Sequence, residues 1–133
     1  MTRLKGSCLC GTVSFEVTSP VRGVGCCHCS KCRKASGTSG NAVFIVGADH
    51  FHWLHGADVG IRFSLSDGWE IVRCAQCGSP LPESFDGGQR MWVHAGLMDD
   101  PLDTSIVQHT YCSSAADWDC DAENAPHFDE GPA

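Results

Sequence analysis

Three short cysteine clusters constrain this chain more than any other feature of its sequence. They are Cys8-Leu9-Cys10, Cys27-His28-Cys29-Ser30-Lys31-Cys32 and Cys74-Ala75-Gln76-Cys77. Thiolates at such spacings bind metal ions, and zinc sites often take their ligands in pairs separated by two residues. Disulfide bonds suit this pattern poorly, because neighbouring thiols cannot easily each reach a distant partner. The clusters therefore predict a fold organised around bound zinc.

The cellular compartment decides between two roles for the ten cysteines, because in a secreted protein they could form a disulfide framework instead of binding metal. Residues 1–6 lack the apolar core of a signal peptide, however. The net charge of −7 argues against nonspecific binding to nucleic acid or to an anionic membrane. No apolar stretch is long enough to span a bilayer. We predict a cytoplasmic protein with no nucleic-acid partner and no membrane partner.

Short segments with strand-like patterns recur along the chain and are separated by Gly and Pro. A cysteine-rich turn is expected over residues 24–32, followed by no more than one helical turn at 33–36. The length fits one domain over residues 1–133. The pattern predicts a mainly β fold with strands at residues 12–17, 42–46, 51–56, 61–65, 69–72, 89–95 and 106–111.

The outer two clusters predict one closed metal site. Two thiolates separated by two residues fit adjacent corners of a tetrahedron, and Gly78 lets the backbone fold back after the second one. A tetrahedral zinc then needs two more ligands from elsewhere. The first cluster supplies such a pair, just before a strand that could lie beside the hairpin carrying Cys74. The predicted ligands of this structural zinc are Cys8, Cys10, Cys74 and Cys77.

The central cluster predicts a second zinc held by Cys27, Cys29 and Cys32. Three protein ligands leave a fourth position for water or substrate, as in catalytic zinc sites. Completion by Cys26 or by a distant histidine would instead make a closed structural site, and the spacing favours neither arrangement. His28 lies between two ligands, so we expect its side chain to point away from this metal or to hydrogen-bond around it.

The remaining cysteines and histidines give weaker signals. Cys112 and Cys120 stand apart and are expected to be small buried residues or inert surface thiols. His94 and His109 each lie in a predicted strand, where a structural role is the simpler interpretation.

Taken together, the motifs identify a resemblance to a known family. Residues 6–13 resemble the G-x-C-x-C-G-x-V opening of the glutathione-dependent formaldehyde-activating enzyme family, which includes centromere protein V. Residues 27–37 are similar to its C-H-C-x-x-C-R-x-x-x-G motif, and residues 74–81 to C-x-x-C-G-x-x-L. Residues 96–101 resemble its G-x-L-D-D-P turn and residues 109–118 its closing segment. The resemblance runs from about residue 4 to residue 128.

The resemblance implies a mainly β, Mss4-like (β-tent) domain with twisted antiparallel sheets and two zinc ions. It implies a structural zinc on the outer pairs and a more open zinc on the central triplet. The implied activity is that of a carbon–sulfur lyase, S-(hydroxymethyl)glutathione synthase-like, which joins formaldehyde to glutathione. The implied partner is thus a small thiol such as glutathione. Two positions depart from the family pattern: Arg73 stands where an aromatic residue is usual, and Met98 where leucine is usual.

Three functional hypotheses follow from these motifs. The first is an enzyme that acts on a thiol–aldehyde adduct at the open zinc. His28, His94 or Lys31 could then assist proton transfer or hold a carboxylate, and no sequence feature selects among them. The second is a noncatalytic zinc module that binds another protein, which predicts a closed second site with no adjacent pocket. The third is a thiol or metal sensor whose triplet loses zinc readily. We favour the first.

Overall fold

The computed structural model describes residues 1–119 and 124–132. Strands dominate this part of the chain, and the one α-helix within it, α1, spans Ser30–Ser36. Single 3₁₀ turns follow β4, β9 and β10. In chain order the strands β1 to β10 are Leu4–Ser7, Ser14–Val17, Val24–Cys27, Asn41–Gly47, Phe51–His55, Gly60–Ser64, Glu70–Cys74, Glu83–Phe85, Arg90–His94 and Ile106–Thr110. The prediction of a mainly β fold is confirmed.

The N-terminal strands form a three-stranded antiparallel sheet in the order β1-β2-β5. Strand β2 alternates as its sequence predicts, and Phe15 and Val17 are fully buried. Strand β1 was not predicted, since it carries a glycine and two hydrophilic residues. Gly6 is required there because a Cβ at this position would lie 2.4 Å from the ring of Phe15.

A second sheet has five strands in the order β10-β3-β4-β9-β8. Its pairs are antiparallel except for β10 and β3, which run parallel. The expectation of antiparallel sheets therefore holds for most of the fold and is wrong for this one pair. The parallel pairing determines which residues lie next to two of the cysteines: it sets His109 beside Cys26 and Thr110 beside Cys27.

Strands β6 and β7 form a separate hairpin whose turn contains Asp67 and Gly68. The strand after Cys10, which could have lain beside this hairpin, does not pair with it in the described structure. Strand β2 pairs only with β1 and β5 in the described structure, while β7 pairs with β6. The two regions meet through loops and side chains instead. Cys8, Val13, Cys74 and Leu81 form a small buried cluster between them.

Helix α1 is longer than the single turn expected at residues 33–36, and β3 replaces part of the expected turn at 24–32. The helix begins after Cys29, whose Sγ accepts a hydrogen bond from the backbone N–H of Cys32 at 3.3 Å. It ends at Gly37, which adopts the left-handed conformation with φ of 70°. Both ends are thus fixed by local sequence, one of them by a sulfur atom.

The main hydrophobic core joins the two larger sheets. Phe15 and Phe51 stack with their ring centroids 5.2 Å apart, and they meet apolar side chains from β4 and β9. Each side chain of this size contributes about 1.5–3 kcal/mol when it is fully buried. The cysteine groups lie outside this core, so the packing between the two larger sheets does not depend on cysteine side chains.

Within the described residues, no helix has both the length and the apolar character needed to cross a membrane.

Candidate metal centres and substrate cavity

Cys8, Cys10, Cys74 and Cys77 form one compact group of sulfur atoms, all within 4.8 Å of one another. Cys8 and Cys10 lie in the turn that follows β1, where Cys8 N–H donates to the carbonyl of Val13 at 3.0 Å. Cys74 ends β7, and the backbone then turns so that Gly78 N–H donates to the Cys74 carbonyl at 2.8 Å. Two local turns therefore bring together thiols that are more than 60 residues apart in sequence.

Hydrogen bonds around this group favour the ionised form of two of its thiols. Bonds with the side chain and backbone of Ser79 lower the pKa of Cys77 to about 5. The hydroxyl and the backbone N–H of Thr12 lower the pKa of Cys10. Burial instead raises the pKa of Cys8, although Val13 N–H donates to its sulfur at 3.3 Å. Since thiolates are the form that binds metal, the surroundings suit a cation.

The spacing of these sulfurs also fits a metal ion. Four sulfurs arranged as a tetrahedron at about 2.3 Å from zinc would lie about 3.8 Å from one another. The Sγ atoms of Cys8 and Cys10 are 3.6 Å apart, and those of Cys10 and Cys74 are 3.9 Å apart. This donor set could hold a zinc ion with little rearrangement. That these four residues are the ligands remains a prediction.

Cys27, Cys29 and Cys32 form a second group, whose sulfurs also lie within 4.8 Å of one another. Cys27 is the last residue of β3, Cys29 caps α1, and Cys32 lies in the first turn of that helix. Among the described residues, no fourth His, Cys, Asp or Glu belongs to this group. It therefore offers three sulfur donors and one open side.

The three thiols of this second group differ in their surroundings. Burial raises the pKa of Cys32. Burial also acts on Cys29, but hydrogen bonds from Cys32 and Lys31 outweigh it and lower the Cys29 pKa overall. The thiol that caps the helix is thus the more readily ionised of the two.

A cavity of about 560 Å³ adjoins the triplet, with Cys27, Cys29 and Cys32 all in its wall. This volume suits a small organic molecule. The wall is partly aromatic and includes one lysine, Lys31, which pairs with Asp67 at the rim. The wall also includes Asn41, Trp69, Glu70, Glu83, Trp92, His94 and Tyr111.

Besides the cysteines, burial shifts the pKa of two side chains in this wall, Glu83 and His94. Burial raises the pKa of Glu83 to about 6, even though Arg62 lies 3.7 Å from its carboxylate. Burial lowers the pKa of His94 to about 4, and its buried Nδ1 has no hydrogen-bond partner among the described residues. His94 was one of three candidates for proton transfer, and the structure places it and Lys31 at the cavity. Glu83 was missed, because β8 is short and nothing in its sequence signals a site.

His28, the third candidate, does not line this cavity. Its side chain lies among Cys26, His109 and Asp119 instead, and its Nε2 is 2.9 Å from His109 Nδ1. Cys112 is exposed, in agreement with a surface thiol. Cys120 lies outside the described residues.

Arg73 connects the two cysteine groups. One of its guanidinium nitrogens, Nη1, donates to the carbonyl of Gly78 at 2.8 Å, in the turn that carries Cys77. The other, Nη2, donates to the carbonyl of Ala35 at the end of α1. An aromatic side chain, usual at this position in the resembled family, could not make either bond.

Comparison with known proteins agrees with the motif pattern. The family model described as glutathione-dependent formaldehyde-activating enzyme matches residues 3–114. A Halomonas elongata protein, provisionally named a glutathione-dependent formaldehyde-activating enzyme, is 38% identical over 84 residues. That alignment covers 59% of this chain and 54% of the relative, so the chain spans about half the length of the curated relative it matches.

A crystal structure of a Rhodobacter sphaeroides protein is similar in fold, with a TM-score of 0.58 and 20% sequence identity. The superposition covers 76% of this chain and 98% of that one. This likeness supports the arrangement of strands described above.

Proposed function

The chain belongs to the glutathione-dependent formaldehyde-activating enzyme family, and from this premise we propose that it is a carbon–sulfur lyase acting on thiol–aldehyde adducts. The proposed reaction is that of an S-(hydroxymethyl)glutathione synthase, with glutathione as the thiol and formaldehyde as the aldehyde. The proposed cofactors are two zinc ions, a structural one on Cys8, Cys10, Cys74 and Cys77 and a second on Cys27, Cys29 and Cys32.

One observation carries this proposal: the three-cysteine group opens into a cavity, and the four-cysteine group does not contribute to that cavity. A noncatalytic module would be expected to close its second site and to have no adjoining pocket. A group with three protein donors beside a cavity of ligand size supports the catalytic alternative.

The reaction makes one bond and moves one proton. The sulfur of the thiol attacks the carbonyl carbon of formaldehyde, a C–S bond forms, and the carbonyl oxygen takes up the proton that the thiol loses. A zinc ion on the triplet would supply positive charge that favours the thiolate form of the substrate. The chain itself must accept the thiol proton and deliver it to the new hydroxyl oxygen.

Glu83 is suited to carry this proton. With a pKa of about 6 it is mostly ionised at neutral pH, and after accepting a proton it is acidic enough to give it up again. His94 is neutral at the same pH because its pKa lies near 4. Its role in the proposal is to present an uncharged polar edge to the substrate.

The rest of the wall suits a short peptide with carboxylates. Lys31 supplies a positive charge at the mouth of the cavity, where it now pairs with Asp67. Trp69, Trp92 and Tyr111 supply flat apolar surface for the peptide backbone. Asn41 is buried in the wall and offers an amide for hydrogen bonding.

The setting we propose is the reducing cytoplasm, because the reaction requires free thiols. None of the nine described cysteines is in a disulfide bond.

The activity can be tested directly. Zinc-loaded protein is mixed with glutathione and formaldehyde, and the exchange between free and adduct formaldehyde is followed by NMR. We expect an exchange rate that rises in proportion to protein concentration, with the same amount of free zinc as control. A rate no greater than that of the uncatalysed reaction would reject the proposal.

Replacing Glu83 by glutamine should change the pH profile of this activity. The wild type should show an inflection near pH 6 in kcat/KM, because the carboxylate accepts protons only above its raised pKa. E83Q should lack the inflection and be slower by about 100-fold or more. Glu70→Gln is the matched control, since Glu70 lines the same cavity but a bond from Ser64 lowers its pKa. The inflection should persist in E70Q; its persistence in E83Q would assign the proton transfer elsewhere.

A further inference from the structure

A third group of metal-binding side chains lies beside the triplet and belongs to neither site described so far. It consists of Cys26, His28 and His109, whose donor atoms all lie within 4.8 Å of one another. Cys26 and His28 are buried, with exposures of 8% and 6%, while His109 is exposed. A sulfur and two imidazole nitrogens therefore meet at the edge of the sheet, within reach of solvent.

The backbone at residues 26–29 explains why two groups can lie so close without merging. This segment is extended, and side chains in extended backbone alternate between opposite sides. Cys26 and His28 point to one side, while Cys27 and Cys29 belong to the group on the other. The parallel pairing of β10 with β3 then sets His109 directly beside Cys26. One strand thus serves two separate donor sets.

The His28 ring is held as metal-binding histidines are usually held. Its Nδ1 lies 3.0 Å from the carbonyl oxygen of Ser39 and 3.3 Å from the carboxylate of Asp119. Two acceptors at Nδ1 fix the hydrogen on that nitrogen, so the lone pair of the neutral ring is on Nε2. An imidazole that donates from one nitrogen to a carbonyl or carboxylate and ligates through the other is the common arrangement at metal sites.

The free lone pair of His28 faces the rest of the group. His28 Nε2 lies 2.9 Å from His109 Nδ1. With the His28 hydrogen on Nδ1, the ring of His109 is the one that can donate a hydrogen bond across this distance. Two imidazoles on one tetrahedral zinc have their nitrogens about 3.3–3.4 Å apart, since each Zn–N bond is about 2.0–2.1 Å. An ion would replace the shared hydrogen after the rings separate by about half an ångström.

The charges around the group also suit a divalent cation. The Asp119 carboxylate, which contacts His28, also acts electrostatically on Cys26, as does the thiol of Cys112. Together with a Cys26 thiolate, Asp119 would balance the two positive charges of such an ion. Cys112 lies three residues after His109, at the start of a 3₁₀ turn, and is exposed. It is not a member of the group of three donors.

We infer that Cys26, His28 and His109 form a third metal site, which binds a borderline divalent ion of the zinc type. Sulfur and imidazole donors together select such ions over magnesium or calcium. The inference does not depend on the proposed enzymatic activity, because it concerns a different donor set on the opposite side of β3.

Counting bound zinc in matched variants tests this site. Metal-free protein is reloaded with zinc under reducing, oxygen-free conditions, dialysed, and analysed for zinc per chain. We expect His109→Ala and Cys26→Ser each to bind one zinc fewer than the wild type. His109 is exposed, so its removal leaves the core intact. His52→Ala is the control, since His52 is an exposed histidine on β5 outside the group, and it should bind the wild-type amount.

A folded H109A protein that binds as much zinc as the wild type would overturn the inference. A second measurement needs no variant: the imidazole nitrogen resonances of His28 and His109 are followed by NMR while zinc is added to the intact protein. We expect both rings to shift at a zinc equivalent that leaves the ring of His52 unchanged. Rings that stay unshifted through three equivalents would equally overturn it.

Discussion

A Cys77→Ser protein should lose most of its folding stability, by several kcal/mol or more. Cys77 belongs to the four-sulfur group that ties the turn after β1 to the end of β7. The buried cluster of Cys8, Val13, Cys74 and Leu81 lies directly against this group, and no strand pairing within the described structure joins its N-terminal half to the β6–β7 hairpin. Urea unfolding followed by tryptophan fluorescence should show a lower midpoint, or no transition at all.

The control for this experiment is Cys112→Ser, which alters an exposed thiol outside the four-sulfur group. Its unfolding free energy should stay within about 0.5 kcal/mol of the wild type, as for most surface substitutions. A strong chelator added to the wild type should reproduce the effect of C77S. If C77S instead unfolded at the wild-type urea concentration, the group would not be a structural metal site.

The Cys29→Ser substitution makes the same chemical change in the three-cysteine group. We expect this protein to keep its folding stability and to lose its activity. The protein should stay folded, because a serine hydroxyl can cap α1 in place of the sulfur that now accepts from Cys32 N–H. Activity in the glutathione and formaldehyde assay should fall by about 100-fold or more, since one of three donors at the cavity is lost. Far-UV circular dichroism and the exchange assay on one sample separate the two effects.

Both cysteines are partly buried, so exposure does not distinguish the two variants. If the C29S protein is unfolded, the group of Cys27, Cys29 and Cys32 has a structural role. If it is folded and fully active, the reaction does not take place at this group. The pair of variants thus tests whether the seven predicted ligand cysteines divide into a structural set and a functional set.

The cysteine pattern predicted which thiols meet, but not how the backbone brings them together. Spacing within Cys74-Ala75-Gln76-Cys77 reflects a local turn, and a local turn can be recognised in sequence. Cys10 and Cys74 are brought together by loops and a small buried cluster, and not by strand pairing. Contacts between distant side chains leave no periodic signal in either segment.

Three strands were missed: β3, where a turn was expected, and β1 and β8, for a related reason. Strand β1 has Gly6 as its one buried residue, and β8 is three residues long with Glu83 at its start. Neither shows the alternation of apolar side chains on which strand prediction depends. Missing β8 meant missing Glu83, the acid that now lines the cavity.

The length of α1 was underestimated because its N-cap residue is a cysteine, Cys29, whose sulfur accepts a hydrogen bond from Cys32 N–H. Ser, Thr, Asp and Asn are the usual helix-capping residues, and Cys29 is not among them. The parallel pairing of β10 with β3 was equally hidden, since it joins segments about 80 residues apart. That pairing is what brings His109 to Cys26, so the third group of donors could not have been found in the sequence.

The two hydrogen bonds of Arg73 have a consequence for the order in which a newly made chain matures. Ala35, at the end of α1, is synthesised 38 residues before the arginine that anchors it. A helix of seven residues is too short to persist alone in water. The bond that anchors the end of α1 can therefore form only after Arg73 of β7 has been synthesised. One side chain thus links the helix that carries Cys32 to the turn that carries Cys77.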